Sequence, residues 1–229
     1  MDVSYFLHER TRLIRSYYAT ASQPFRETLR KIEAEEEPYV PPYSEDPEPP
    51  FLTEWLEARD FLEVTGRTCI SMLAGSLSLF LEQWEKQLGL SCKDAGKRMG
   101  KNIFREGKLH GYRQCFEAVS GKSWDACPAN LVLIEQVVLA RNRDQHPEDI
   151  WGFGVNHSKD DREKYPSLFF VEDEERHLIE EAGEEAPWMS ARLHVSGEKL
   201  EQAICEVEAL AVWLEDCLVR VQYPNYRSG

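Results

Sequence analysis

Hydrophobic residues fall into five stretches with helical spacing, separated by polar or proline-rich breaks. Over residues 2–36, Phe6, Leu7, Leu13, Ile14, Tyr17, Tyr18, Phe25, Leu29 and Ile32 recur at roughly helical intervals. They predict one long helix, kinked or divided at Pro24. Residues 52–88 predict a second long helix, or two in series, with Trp55, Phe61, Ile70, Leu77 and Trp84 on its apolar face and Gly89 as its stop. Residues 91–119 predict a third helical stretch, with Met99, Ile103, Phe104, Tyr112 and Phe116 facing inward. Residues 130–145 are apolar nearly all round, as the central helix of a bundle is. Pro128 suits the first turn of that helix. A final helix over 196–222 has Ser196 as N-cap and a seam of Ile204, Val207, Leu210, Leu214, Leu218 and Val221.

Two segments break this pattern. Residues 38–50 form a proline-rich acidic linker. Residues 151–195 read as a loop and β insertion, in which Leu168–Val171 and Ala191–Val195 have strand composition and pair as a hairpin. The charged run from Glu172 to Glu185 between them reads as a solvated excursion. The expectation is a single mainly α domain, a helical bundle with a small β-hairpin before its C-terminal helix.

Composition narrows the picture. The formal net charge of −14 argues against a general nucleic-acid-binding surface, so any RNA contact must be local. Six cysteines are scattered without a C-x-x-C pair, the pattern of reduced apolar residues rather than a disulfide or metal framework. No run approaches the length of a membrane span, and the first residues lack the basic start and apolar core of a secretory signal. These readings point to a cytoplasmic protein without membrane contact.

The candidate chemistry lies in two places. Lys93, Lys97, Lys101, Arg105 and Lys108 recur at intervals of four, four, four and three, which on one helix makes a slowly drifting basic face. That face is either solvated or a stripe that tracks RNA phosphates. The second place is the end of the central helix. Successive helical residues are about 100° apart, so Arg141 lies about 20° from Ile134 and about 40° from Val137. A guanidinium leaving an apolar face needs a partner, a ligand or a subunit interface. Pro147 disfavours helix at the preceding residue, so the helix ends near Gln145 and His146 sits on the exit turn. Ser120-Gly121-Lys122-Ser123 looks in part like a phosphate loop, but the required upstream glycine position holds Phe116. His8, His110, His177 and His194 form no metal-ligand spacing with each other or with cysteine, and no cofactor or metal is expected.

Arg141-Asn142-Arg143-Asp144-Gln145-His146 resembles the R-N-x(3)-H form of the R-x(4–6)-H signature of HEPN domains. These are small helical bundles found in prokaryotic toxins, defence proteins and RNA-processing factors. The resemblance covers about two turns, with a looser fit over residues 52–146. It implies a metal-independent endoribonuclease in a toxin–antitoxin or phage-defence setting, with an antitoxin or regulatory protein as partner. It also implies a homodimer across which two motifs face each other. In that chemistry His146 exchanges a proton with the 2′-hydroxyl or the leaving oxygen, Arg141 holds the phosphate, and Asn142 orients substrate, water or the arginine. Arg143 is an additional phosphate contact outside the fixed signature. The alternative is a non-catalytic HEPN-like dimerisation or interaction module. A carboxylate-pair hydrolase and a transcriptional regulator stand further off, the latter because no helix-turn-helix pattern is present.

Overall fold

Helix α1 (Val3–Glu33) opens where the Asp2 carboxylate accepts the Tyr5 N–H at 2.8 Å, a side-chain partner for an otherwise orphaned donor. Val3, Leu7, Thr11 and Ile14, spaced three or four apart, form its buried face. The helix runs through Pro24 as one element. The computed structural model describes residues 2–43, 48–98, 100–146, 153–182 and 191–223. Part of the proline-rich linker, Met99 and Pro147 lie outside them.

Helix α2 (Leu52–Gln87) is also unbroken. Ile70, Leu73, Leu77, Phe80, Leu81 and Trp84 are buried at helical spacing, and Gly89 ends the helix with φ +62°. A Cβ at Gly66 would stand 2.3 Å from the Val195 carbonyl oxygen, so only glycine lets that backbone approach. One 18-residue window of α2 reaches a mean hydropathy of 1.3, which corrects the reading that no run has the length of a membrane span. Within the protein 61% of that window is buried, as in a core helix.

The expected third helix is two: α3 (Cys92–Arg98) and α4 (Lys108–Ser120). Gly100 at φ +69° and Gly107 at φ +120° turn the chain between them through backbone regions that side chains disfavour. A disulfide joins Cys92 to Cys115 across the break, with 5.5 Å between the Cα atoms. It corrects the expectation of scattered thiols for that pair, while Cys69, Cys127, Cys205 and Cys217 form no disulfide among the described residues.

Helix α5 (Leu131–Gln145) ends where the sequence predicts. Its cap is Asn130, whose Oδ1 accepts the Leu133 N–H at 3.1 Å, and Pro128 lies ahead of the helix rather than in its first turn. Short helices α6 (Lys159–Lys164) and α7 (Asp173–Ala182) follow, then α8 (Gly197–Gln222), where Ser196 Oγ accepts the Lys199 N–H at 3.2 Å. The run expected to be a charged loop is therefore largely α7.

No strand forms among the described residues, and the two segments expected to pair as a hairpin share one backbone bond, the His194 N–H donating to Phe170 O at 2.9 Å. Ala191–Val195 runs beside Val155–His157, through an antiparallel bridge between Asn156 and Arg192. The Leu193 N–H donates to Val155 O at 2.7 Å and the His157 N–H to Ala191 O at 2.8 Å. Phe169–Val171 forms bends, and side chains meet most of the backbone groups of this segment: Arg176 donates to Leu168 O at 3.2 Å and Lys199 to Val171 O. Gln136 Oε1 accepts the Phe169 N–H at 2.8 Å, and the His157 ring meets the Phe170 carbonyl at 2.9 Å.

Contacts group the chain into two compact units, one of Met1–Arg12, Leu73–Glu135 and Gln202–Gly229, the other of Leu13–Met72 and Gln136–Glu201. Helices α1, α2, α5 and α8 contribute residues to both. In the first unit Glu85 accepts the Tyr112 hydroxyl at 2.8 Å and the Cys92 N–H at 2.7 Å, and Trp124 meets Trp213 edge-on at 6.0 Å. In the second, Tyr165, Leu168, Val171 and Ala191 pack together with Leu139.

Candidate functional site at the exit of helix α5

The last turns of α5 carry a run of polar residues that follows the buried Val137 and Ala140. Their side chains divide into two sets. Arg143 and Asp144 are tied into the second unit. Arg143 Nε donates to Asp161 Oδ2 at 2.7 Å, and its Nη2 donates to Ser158 Oγ. Asp161 itself closes the capping box at the start of α6. Burial pushes the Asp161 carboxyl up, but Arg143 and Ser158 outweigh it and hold it below its ordinary value. Arg143 is thereby engaged by a carboxylate rather than presented to phosphate.

Asp144 faces α2. It accepts the Ser71 hydroxyl at 2.8 Å and lies 3.4 Å from Arg67 Nε. The Arg67 side chain is only 5% exposed, so this carboxylate offsets a buried charge. Arg67 also donates to the Phe153 carbonyl and lies 4.0 Å from Glu63.

Arg141, Asn142 and His146 form the other set. Arg141 is half-buried, and Asn142 and His146 are exposed. Arg141 Nη1 reaches Asn142 Oδ1 at 3.5 Å, the long limit for such a bond. The His146 N–H donates to Arg143 O at 3.2 Å, which keeps the histidine against the helix end by one tight turn. A guanidinium, an amide and an imidazole thus stand together on one exit, with no carboxylate bound to the guanidinium among the described residues.

The basic residues lie in the first unit, and the break between α3 and α4 removes the single helical face inferred from their spacing. Lys93, Lys97 and Lys101 instead line a concavity of about 650 Å³ with Gly100, Asn102, Ile103 and Phe104. Arg105 is exposed in the turn after it. Lys108 opens α4 and binds Glu82 at 2.6 Å, and Lys97 binds Asp94 at 3.2 Å.

Sequence reasoning missed a second polar centre. In the second unit a cavity of about 350 Å³ is lined by Trp55, Arg59, Glu63, Glu172, Glu175 and His194, among others. His194 Nδ1 lies 2.6 Å from Glu63 Oε1 and 3.6 Å from Glu172 Oε1. Arg59, stacked over Trp55, binds Glu172 at 2.9 Å. Burial pushes the Glu175 carboxyl up, although the Arg192 N–H donates to it. The readable signal was Arg59, Glu63 and Arg67 at intervals of four along α2, a charged ladder with nothing in the sequence to name what it meets.

Comparison with protein-family models, with curated proteins and with solved structures returns no match.

Proposed function

We propose that this chain is a HEPN-type endoribonuclease that cleaves RNA without a metal ion, with Arg141, Asn142 and His146 as its site. One observation carries the reading. Of the polar residues at the α5 exit, Arg143 and Asp144 serve the fold, whereas among the described residues Arg141 has only a long contact to its neighbour, and Asn142 and His146 are exposed. An arginine and a histidine held on a helix end, with donors directed outward, suit a phosphodiester. His146 takes the 2′-hydroxyl proton or delivers one to the leaving 5′-oxygen, and Arg141 stabilises the charge that builds on the phosphate. Two copies of the site facing each other in a homodimer supply one group for each proton transfer. The lysine-lined concavity at Lys93, Lys97 and Lys101 supports a local RNA contact in an acidic chain, and an acidic or regulatory protein could mask it.

The non-catalytic interaction module is the second reading. It is favoured by the apolar side chains that α1 leaves exposed, Phe6, Leu13 and Tyr17. RNA cleavage in excess chelator decides between them, with natural chain, Arg141→Ala and His146→Ala compared after each is shown to be folded. Cyclic phosphate ends, lost in both variants, are the expected result. No cleavage by a folded dimer on a broad panel of RNAs turns the reading to the interaction module.

A further inference from the structure

The Glu63, Glu172 and His194 cluster is built from three separated parts of the chain: the middle of α2, the residue preceding α7, and the segment before α8. One donor atom from each lies within 4.8 Å of the other two. Tetrahedral coordination by nitrogen and oxygen at about 2.0–2.2 Å places donor atoms about 3.3 Å apart. The distances from His194 Nδ1 to the two carboxylate oxygens, 2.6 and 3.6 Å, bracket that spacing. We propose that Glu63, Glu172 and His194 bind a divalent ion of the Zn²⁺ class, with its fourth position open to the adjoining cavity.

Three features support the assignment. The first is charge. The described residues lining the cavity include five carboxylates (Asp60, Glu63, Glu172, Glu174, Glu175) against three guanidinium groups (Arg59, Arg67, Arg192). The carboxylates outnumber the guanidinium groups by two, and Arg67 is also paired with Asp144 outside the lining, so negative charge is in excess at a site that a divalent ion would offset. The second is the ligand set. An imidazole with two carboxylates suits Zn²⁺ better than the hard all-oxygen ions. The third is the support around it. Arg59 binds the Glu172 oxygen at 2.9 Å, and Arg67 stands 4.0 Å from Glu63 Oε2, the oxygen turned away from His194. Both hold the ligands in place from outside, as outer-shell groups do. The ion takes the place of the direct contact between Nδ1 and Glu63 Oε1. It clamps the start of α7 and the 191–195 segment onto α2.

The site does not depend on the nuclease reading, whose chemistry needs no metal. The test uses the full chain stripped with chelator, exchanged into chelator-free buffer and titrated with Zn²⁺ by calorimetry and with Co²⁺ by absorption. The expected result is one ion per chain at this site. The Co²⁺ spectrum should show d–d bands without a thiolate charge-transfer band, which separates it from binding at the cysteine thiols. Affinity should fall at least tenfold in Glu172→Gln and in His194→Gln, and hold in Arg141→Ala. Glu172 is a third exposed, so Glu172→Gln keeps the test decisive if His194→Gln fails to fold. No Co²⁺ spectrum, a thiolate band, or unchanged affinity in folded Glu172→Gln overturns the proposal.

Discussion

The exit of α5 and the cavity beside α2 carry similar polar chemistry in opposite states. At the exit, a guanidinium, an amide and an imidazole sit within six consecutive residues and bind almost nothing else among the described residues. In the cavity, the central charged groups are already engaged: Arg59 with Glu172, Glu172 and Glu63 with His194, and Arg67 with Asp144. Among the described residues, a ligand at the first breaks only the long Arg141–Asn142 contact. It can enter the second only by replacing a bond that exists. The difference separates a site poised for a large, transient substrate from one suited to a small ion that fits among its ligands.

That contrast can be broken by substitution. The largest effect should fall on activity. Arg141→Ala and His146→Ala should each lower RNA cleavage by about a thousandfold, since charge stabilisation and proton transfer are each worth two to four orders of magnitude. Their stability in urea should stay within about 1 kcal/mol of the natural chain, as for surface changes. If both variants unfold early, the motif is structural and the contrast fails. The next effect should fall on stability. Asp144→Ala leaves the buried Arg67 without its nearest carboxylate and should cost about 3 kcal/mol. Arg143→Ala leaves the buried Asp161 facing Ser158 alone and should cost about 2 kcal/mol. Equal urea midpoints for these and the natural chain would mean that the inward half of the helix end does not anchor it.

The smallest effect should be one of pH. Burial holds the His157 imidazole below its ordinary 6.5, against the pull of the Phe170 carbonyl. The unfolded chain therefore binds the proton more readily, and stability falls as pH drops below about 6.5. Asp161, also held low, adds a second loss of the same sign below its ordinary 3.8. A thermal midpoint that is flat from pH 7 to 5.5, or that His157→Gln leaves with the same slope, would remove His157 from this account.

The helices were legible because burial follows a period that sequence displays. Helix α2 places Ile70, Leu73, Leu77, Leu81 and Trp84 inward, and α8 does the same with Ile204, Val207, Leu214 and Leu218. The α5 exit was legible because its residues are neighbours in sequence and a proline marks the end. What periodicity could not display was the turn between α3 and α4. Lysines at intervals of four continue the pattern straight across Gly100, and only the backbone angles reveal the break. The hairpin misread has a related cause. Leu168–Val171 has strand composition, yet it makes a single backbone bond to 191–195, at Phe170 O, while the side chains of Gln136, Arg176 and Lys199 take its other groups, partners that no strand periodicity reveals. The Glu63–Glu172–His194 cluster spans 131 residues between Glu63 and His194, and no local pattern joins them.

The Cys92–Cys115 bridge has a consequence for how this protein meets a protease. Helix α3 is too short to be stable alone, and it and the segment that follows present exposed Lys97, Lys101 and Arg105. A trypsin cut at any of them falls inside the covalent loop, so the two fragments stay joined and migrate together until a thiol reductant separates them.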